Sequence, residues 1–167
     1  MTVDEKSGGL QFVAVHQNDP LAAPLLDELT VEYGSRYGDS IVGGEYDDLR
    51  AYPAEEFAPP GGALIVAVCD GVPVAGGAFR RWDSSTAELK RMWTASTHRR
   101  RGYGKLVVAE LERTALQSGY TRVYLTTGWR QPEAVALYLA MGYTQLYDAS
   151  LPPEDIGAHP FEKRLVR

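Results

Sequence analysis

Residues 62–82 read GALIVAVCDGVPVAGGAFRRW, in which two apolar runs flank the dipeptide Asp70-Gly71. An Asp-Gly pair between apolar runs is the strongest short-range signal for a β-hairpin, because both central residues of such a turn need positive φ angles. A second turn, at Asp83, leads into the strand-like stretch at residues 86–96. The sequence therefore predicts three consecutive strands that pair antiparallel.

Upstream of these strands the pattern changes from strand to helix. Residues 10–16 have the composition of a strand, and residues 21–38 carry leucines and a tyrosine at helical spacing despite Pro24. Residues 39–60 mix Gly, Pro, Asp and Glu with isolated aromatic residues. We expect irregular structure there, with a short helix at residues 47–52.

Downstream, residues 102–119, 121–127 and 132–142 predict a helix, a strand and a second helix. Two closing strands are expected at residues 143–148 and 159–166, across a proline-rich loop. A strand, a crossover helix and a second strand require a parallel pair. The sequence thus predicts an α/β fold with a mixed, mostly antiparallel sheet of six to seven strands and flanking helices.

The composition is that of one globular domain, residues 1–167, with 44% hydrophobic and 23% charged residues. The net charge of −5 argues against duplex nucleic acid as a partner. No apolar run approaches the roughly 18 residues of a membrane span, and the polar start does not resemble a secretory signal. We therefore expect a cytoplasmic protein without a membrane partner. The single Cys69 and three scattered histidines predict neither a disulfide nor a metal site.

A charged turn precedes the helix at residues 102–119. Residues 98–106 read HRRRGYGKL, with Gly102 and Gly104 among three arginines and a lysine. The first N–H groups of a helix lack intrahelical partners, and glycines let an anion approach them closely, so the pattern favours a phosphate group. Taken alone, it is equally compatible with a solvated, charged surface turn.

Two nucleotide-binding motifs do not fit this turn. A dinucleotide fingerprint, G-x-G-x-x-G, requires a third glycine where Val107 stands. A P-loop, G-x-x-x-x-G-K-[ST], requires a glycine at Arg99 and a hydroxyl at Leu106. The spacing therefore argues against a nucleotide-binding protein of either kind.

The turn resembles a known acyl-coenzyme A signature. Residues 99–104, RRRGYG, are similar to the [Q/R]-x-x-G-x-[G/A] motif of the GNAT superfamily of N-acyltransferases. The resemblance includes AELKRMWTAS before the turn and residues 127–143, TGWRQPEAVALYLAMGY, which are similar to the family's N-x-x-A-x-x-L-Y-x-x-x-G-F segment. The resemblance implies a single GNAT-like domain whose sheet contains a splayed parallel pair of strands.

The resemblance also implies acetyl-CoA as the acyl donor, held between the strands predicted at residues 86–96 and 121–127. The main chain of Met92, Trp93 and Thr94 would pair with the pantetheine arm, and one amide would face the thioester oxygen. Gln131 stands where the family has asparagine, and a cofactor contact is implied for it and for Tyr138. The residues implied to bind the pyrophosphate are Arg99, Arg100, Arg101, Gly102, Tyr103, Gly104 and Lys105.

Transfer to a primary amine by direct attack is the activity that the resemblance implies. An alkyl amine, with a pKa of about 10.4, is mostly protonated at neutral pH, so a base must remove a proton. Glu88 matches a glutamate of the family and is the candidate base. The alternative for Glu88 is an exposed strand residue paired with Lys90 or Arg122, and some relatives place a glutamate where this chain has Thr126.

Tyr138 matches the family's tyrosine and is the candidate acid. A phenol can donate a proton or a hydrogen bond to the leaving thiolate, whose conjugate acid has a pKa of about 8.5. The alternative role is a core aromatic residue, because Ala134, Leu137, Tyr138 and Met141 form one apolar helical stripe.

The acceptor implied is a small-molecule amine or a protein amino group, and the acidic balance favours a cationic one. Family members are often dimers, so a homodimer is compatible with the resemblance. The alternative function is a non-catalytic acyl-CoA-binding sensor. Trp129, after a predicted strand, is a candidate for the rim of the acceptor pocket. The aromatic residues considered for its lining are Tyr33, Tyr37, Tyr46, Tyr52, Trp82, Trp93, Trp129 and Tyr147.

Overall fold

The computed structural model of the protein describes residues 2–3, 9–37, 53–128 and 131–166. The strands are β1 (Thr2–Val3), β2 (Gln11–Ala14), β3 (Ala63–Cys69), β4 (Val72–Arg81), β5 (Thr86–Thr94), β6 (Arg122–Thr127), β7 (Thr144–Gln145) and β8 (His159–Arg164). The helices are α1 (Ala23–Tyr37), α2 (Tyr103–Gln117), α3 (Pro132–Ala140) and α4 (Pro153–Ile156). The strands form one mixed sheet in the order β1-β2-β3-β4-β5-β6-β8-β7.

The hairpin predicted at Asp70-Gly71 is confirmed. The φ angles of these two residues are 51° and 79°, in the left-handed region that a tight hairpin turn requires. At the next turn the Asp83 carboxylate accepts a hydrogen bond from the Ser85 N–H at 2.9 Å. β3, β4 and β5 consequently form the antiparallel series expected from the sequence.

Helices cover both faces of the sheet. Leu25 and Leu29, four residues apart on α1, are buried in one hydrophobic cluster. Val107 and Leu111, spaced in the same way on α2, are buried in a second cluster. Successive strand residues belong to different clusters and point to opposite faces, so α1 and α2 lie on opposite sides. We call these the α1 face and the α2 face.

β5 and β6 form the parallel pair, and they pair over three residues only. Thr86, Ala87 and Glu88 lie opposite Arg122, Val123 and Tyr124, and the pairing ends there although both strands continue. The fold predicted from the sequence, including the splayed parallel pair, is therefore confirmed. Beyond Glu88 the edge of β5 that faces β6 has no strand partner among the residues that the structure describes.

A β-bulge lies in the part of β5 that is not paired with β6. Gly76 of β4 pairs with Trp93 while Ala78 pairs with Lys90, so one intervening residue of β4 opposes two of β5. Arg91, in the bulge, has a φ of 59° and a side chain that is only 5% exposed. Its guanidinium lies 4.1 Å from the ring centroid of Phe57, on a 3₁₀ turn. The bulge thereby connects β5 to the α1 face.

The structure departs from the sequence prediction at the ends of the sheet. There are eight strands in the described residues because the two-residue β1 pairs with β2. β7 contains only Thr144 and Gln145. The next residue, Leu146, donates its N–H to the Pro160 carbonyl at 2.9 Å, but Pro160, which precedes Phe161 in β8, has no N–H to donate in return. The proline-rich loop contains the short α4, and the helix predicted at residues 47–52 lies outside the described residues. None of the helices that the structure describes is long and apolar enough to span a membrane.

Candidate functional site

The charged turn leads directly into α2. Arg100 and Gly102 have φ angles of 65° and 79°, and Gly102 occupies the N-cap position, where no side chain caps the helix. The first turn of α2 contains no acidic residue. Its N–H groups and the positive end of the helix dipole are thus suited to an anion.

A cavity of about 450 Å³ lies between this turn, β5 and α3. Ten of the residues predicted to contact the cofactor line it: Met92, Trp93, Thr94, Arg99, Arg100, Gly102, Tyr103, Gly104, Gln131 and Tyr138. The remaining two, Arg101 and Lys105, are exposed and do not line the cavity. Segments distant in the sequence therefore meet at one site, which we call the β5 cavity.

Arginines place positive charge at one end of the β5 cavity. The Arg99 Nη2 lies 3.4 Å from an oxygen of Glu32 on α1, and its Nε donates to the Thr94 carbonyl at 3.5 Å. Arg99 keeps 47% of its side chain exposed, so these long contacts leave its charge accessible to an anion.

Some lining residues were not predicted from the sequence. Glu133, Ala134 and Leu137 of α3 also line the β5 cavity, and helical spacing places them near Tyr138, so the signal was present in α3. Glu32 had no such signal, because its position depends on how α1 crosses the sheet. Gly104 allows close packing here, since a Cβ would lie 3.3 Å from a methyl group of Leu137.

Tyr138 lies in the wall of the β5 cavity and is only 4% exposed. Its ring packs against those of Tyr143 and Phe161, with centroid distances of 5.5 and 5.9 Å. Burial raises the pKa of the Tyr138 phenol well above its usual value. The phenol is therefore neutral and able to donate a hydrogen bond across the physiological pH range.

A hydrogen-bond network supports the aromatic cluster beneath Tyr138. The Tyr143 hydroxyl donates to Glu112 at 2.8 Å, and the Lys163 ammonium donates to the same carboxylate at 2.9 Å. Lys163 also donates to the Met141 carbonyl at the end of α3, at 2.8 Å. The network joins α2, α3 and β8 and so fixes the end of α3.

Gln131 lies at the start of α3, four residues after the end of β6. Its Oε1 accepts hydrogen bonds from the Gly128 N–H at 3.1 Å and from the Thr127 hydroxyl at 3.4 Å. The side chain both lines the β5 cavity and holds the residues that follow β6. A glutamine thus occupies a structural position at the predicted cofactor site.

Glu88 lies in a different place from Tyr138. It lines a second cavity, of about 550 Å³, together with Glu56, Arg80 and Trp82, and does not line the β5 cavity. Glu88 is 4% exposed, and its carboxylate accepts a hydrogen bond from the Arg80 Nε at 2.8 Å. The structure therefore does not bring the candidate base and the candidate acid into one cavity.

The charges around Glu88 are paired in the folded protein. Arg80 also donates to Glu56 at 2.7 Å, and Arg122, one of the partners considered for Glu88, binds Glu162 instead. Burial alone would lower the pKa of the Arg80 guanidinium, but its hydrogen bonds to Glu88 and Glu56 outweigh that effect and raise it. Glu88 is consequently a buried ion-pair partner rather than an exposed strand residue.

The aromatic residues considered for an acceptor pocket do not form one group. Trp93 lines the β5 cavity, whereas Trp82 lines the second cavity and stacks on Tyr124 at 4.5 Å. Tyr147 packs against His159 at a centroid distance of 4.5 Å. The others lie outside what the structure describes, as whole residues or as side chains: Tyr33, Tyr37, Tyr46, Tyr52 and Trp129.

The chain is similar to known acetyltransferases. The uncharacterized N-acetyltransferase YjgM of Escherichia coli (strain K12) is 27% identical over 135 residues, which cover 78% of each protein. The GNAT domain of S. lividans PAT has a TM-score of 0.73 at 15% identity, covering 98% of this chain and 95% of that one. The PaiA N-acetyltransferase of Thermoplasma acidophilum, solved with coenzyme A, has a TM-score of 0.67 at 15% identity, covering 93% and 99%.

The family assignment rests on a match that covers more than two thirds of the chain. Residues 25–143, from α1 to the end of α3, match the acetyltransferase (GNAT) family. This range contains the charged turn, both strands of the splayed pair and the β5 cavity. The chain belongs to the acetyltransferase (GNAT) family.

Proposed function

We propose that the protein transfers an acetyl group from acetyl-CoA to a primary amine, by direct attack of the amine on the thioester. The observation that carries this proposal is the β5 cavity, where the charged turn, the unpaired edge of β5 and Tyr138 meet. The presence of coenzyme A in the related T. acidophilum structure supports the choice of donor. Bound acetyl-CoA would supply the acetyl group as an activated thioester.

Residues of the charged turn would hold the diphosphate. The N–H groups of the first turn of α2 need acceptors, and Arg99 and Arg100 bring positive charge to the same end of the cavity. Gly102 leaves the main chain uncovered by side chains at this point, whereas at Gly104 the Leu137 side chain packs close to it. The set of donors fits a diphosphate.

The free edge of β5 would hold the extended arm of the donor. After Glu88 this edge has no pairing with β6, so the main chain near Met92 and Trp93 would be available to the amides of a pantetheine chain. An N–H at Met92, Trp93 or Thr94 would also stabilise the oxygen that becomes negative during attack.

Tyr138 would act on the sulfur as a hydrogen-bond donor. Its pKa is raised by burial, whereas a thiol has a pKa of about 8.5, so full proton transfer from the phenol to a thiolate is unfavourable. A hydrogen bond from the neutral phenol still lowers the energy of the charge that develops on sulfur. The role we assign to Tyr138 is therefore stabilisation of the leaving group.

Glu88 would accept the proton of the amine indirectly. Its carboxylate lines the second cavity and is held by Arg80, so it does not lie in the wall of the β5 cavity. Both cavities border β5, and a chain of water molecules between them would carry the proton. This route requires no contact between Glu88 and the amine.

The test is mass spectrometry of a polyamine, an aminoglycoside and a peptide after incubation with acetyl-CoA, together with calorimetry of acetyl-CoA binding. We expect binding and acetylation of at least one amine. Absence of both would refute the proposal. Binding without acetylation of any amine would instead support the acyl-CoA sensor, which the separation of Glu88 from Tyr138 favours.

A further inference from the structure

The indole N–H of Trp93 is a polar group in an apolar environment. The Trp93 side chain is only 3% exposed and packs with Leu25 and Leu29 on the α1 face, while also lining the β5 cavity. Its indole N–H is buried, and none of the residues that the structure describes accepts a hydrogen bond from it. Buried donors in folded proteins are almost always paired. A bound molecule in the cavity is the natural source of the missing acceptor atom.

The position of Trp93 indicates which molecule that is. The charged turn leads into α2, and Tyr138 packs in the same cluster as α2, so the donor's contacts lie on the α2 face. A nucleophile attacks a carbonyl carbon from above or below its plane, on the side that the donor leaves open. The indole lies on the α1 face and therefore meets the acceptor rather than the donor.

The acetyl group itself does not supply the oxygen. It carries a single oxygen, which the proposed function places against a main-chain N–H of β5. Resting on that function, we propose that the Trp93 indole N–H donates a hydrogen bond to an oxygen of the acceptor, and so selects primary amines with a carbonyl or hydroxyl oxygen near the nitrogen.

The experiment compares matched amines with and without that oxygen. The pairs are phenylalaninamide with phenethylamine and glucosamine with cyclohexylamine, each assayed with acetyl-CoA. The variants are Trp93→Phe and a protein with 3-benzothienylalanine at position 93, which keeps the bicyclic shape but replaces the N–H by sulfur. Trp82→Phe, outside the β5 cavity, is the control.

The measured quantity is the kcat/KM for the amine with the oxygen divided by the kcat/KM for its partner without it. This ratio is compared between the wild type and each variant, so that differences in amine pKa cancel. We expect both position-93 variants to lower this ratio by about tenfold, as for the loss of one hydrogen bond, with the KM for acetyl-CoA unchanged. Trp82→Phe should leave the ratio unchanged. An unchanged ratio in the benzothienylalanine protein, with transfer intact, would overturn the inference while the proposed function stands.

A second measurement is independent of turnover. In ¹⁵N-tryptophan protein saturated with coenzyme A, the Trp93 indole N–H resonance, assigned by its loss in Trp93→Phe, should move downfield on addition of phenylalaninamide and not of phenethylamine. Equal shifts with both amines would contradict the inference. Failure of coenzyme A to bind at all would instead count against the proposed function.

Discussion

Replacing Tyr138 by phenylalanine removes one hydroxyl from the wall of the β5 cavity. The ring contacts with Tyr143 and Phe161 remain, so the fold should be preserved. A hydrogen bond to a charged group contributes about 1.5–3 kcal/mol, which corresponds to a fall in kcat of roughly tenfold to a hundredfold. Binding of acetyl-CoA should be unchanged, because the thioester sulfur is neutral in the ground state.

The assay measures kcat with saturating amine, the dissociation constant for acetyl-CoA by calorimetry, and the melting temperature. Tyr143→Phe is the matched control, because it removes a buried hydroxyl from the same cluster, one that donates to Glu112. It should lower stability by about 1 kcal/mol and leave kcat nearly unchanged. A kcat for Tyr138→Phe within twofold of the wild type would refute the role of the phenol, and an equal fall in both variants would show a packing effect.

Three further predictions concern the turn and the aromatic cluster. Burial raises the pKa values of Tyr138 and Tyr143, so the folded state holds these protons more tightly than the unfolded chain, whose tyrosines have a pKa of about 10. In thermal melts, the stability that these two groups contribute should be complete below about pH 10 and should fall above it. The fall should be less steep in Tyr143→Phe. Gly102→Ala should lower the free energy of unfolding in urea by about 1 kcal/mol through its φ of 79° alone, since a Cβ there meets nothing within 4 Å; an unchanged midpoint would disprove this. Arg100→Glu should weaken acetyl-CoA binding by about tenfold or more in calorimetry, whereas Arg101→Glu, outside the cavity, should have a smaller effect; equal losses would mean that charge acts only at long range.

Features set by neighbouring residues could be predicted from the sequence. The hairpin at Asp70-Gly71 follows from the φ requirement of two adjacent positions. The start of α2 at the charged turn follows from Gly102 and the apolar spacing after it. Tyr138 lines the β5 cavity, and it could be named as a candidate from the sequence because helical spacing and a motif in one segment mark it.

Features that depend on how distant segments pair could not be predicted in this way. The partner of Glu88 is Arg80, which is set by the register between β4 and β5. The approach of Glu32 to the cavity depends on the crossing of α1 over the sheet. The bulge at Arg91 has no local signal, because positive φ is uncommon for arginine and a strand pattern gives no reason to expect it.

The bulge in β5 also reverses which residues of the strand, odd-numbered or even-numbered, face the α1 side. Before it, the even-numbered Glu88 faces away from the α2 core that buries Leu89; after it, the odd-numbered Trp93 lies on the same side as Glu88. Deleting Arg91 would remove the extra residue and restore strict alternation with the indole still on the α1 face, whereas flattening the bulge with every residue kept would send the indole into the opposite core. An alignment with a related strand that lacks the bulge must consequently place a one-residue gap here, because an ungapped alignment would exchange inward and outward positions for the rest of the strand.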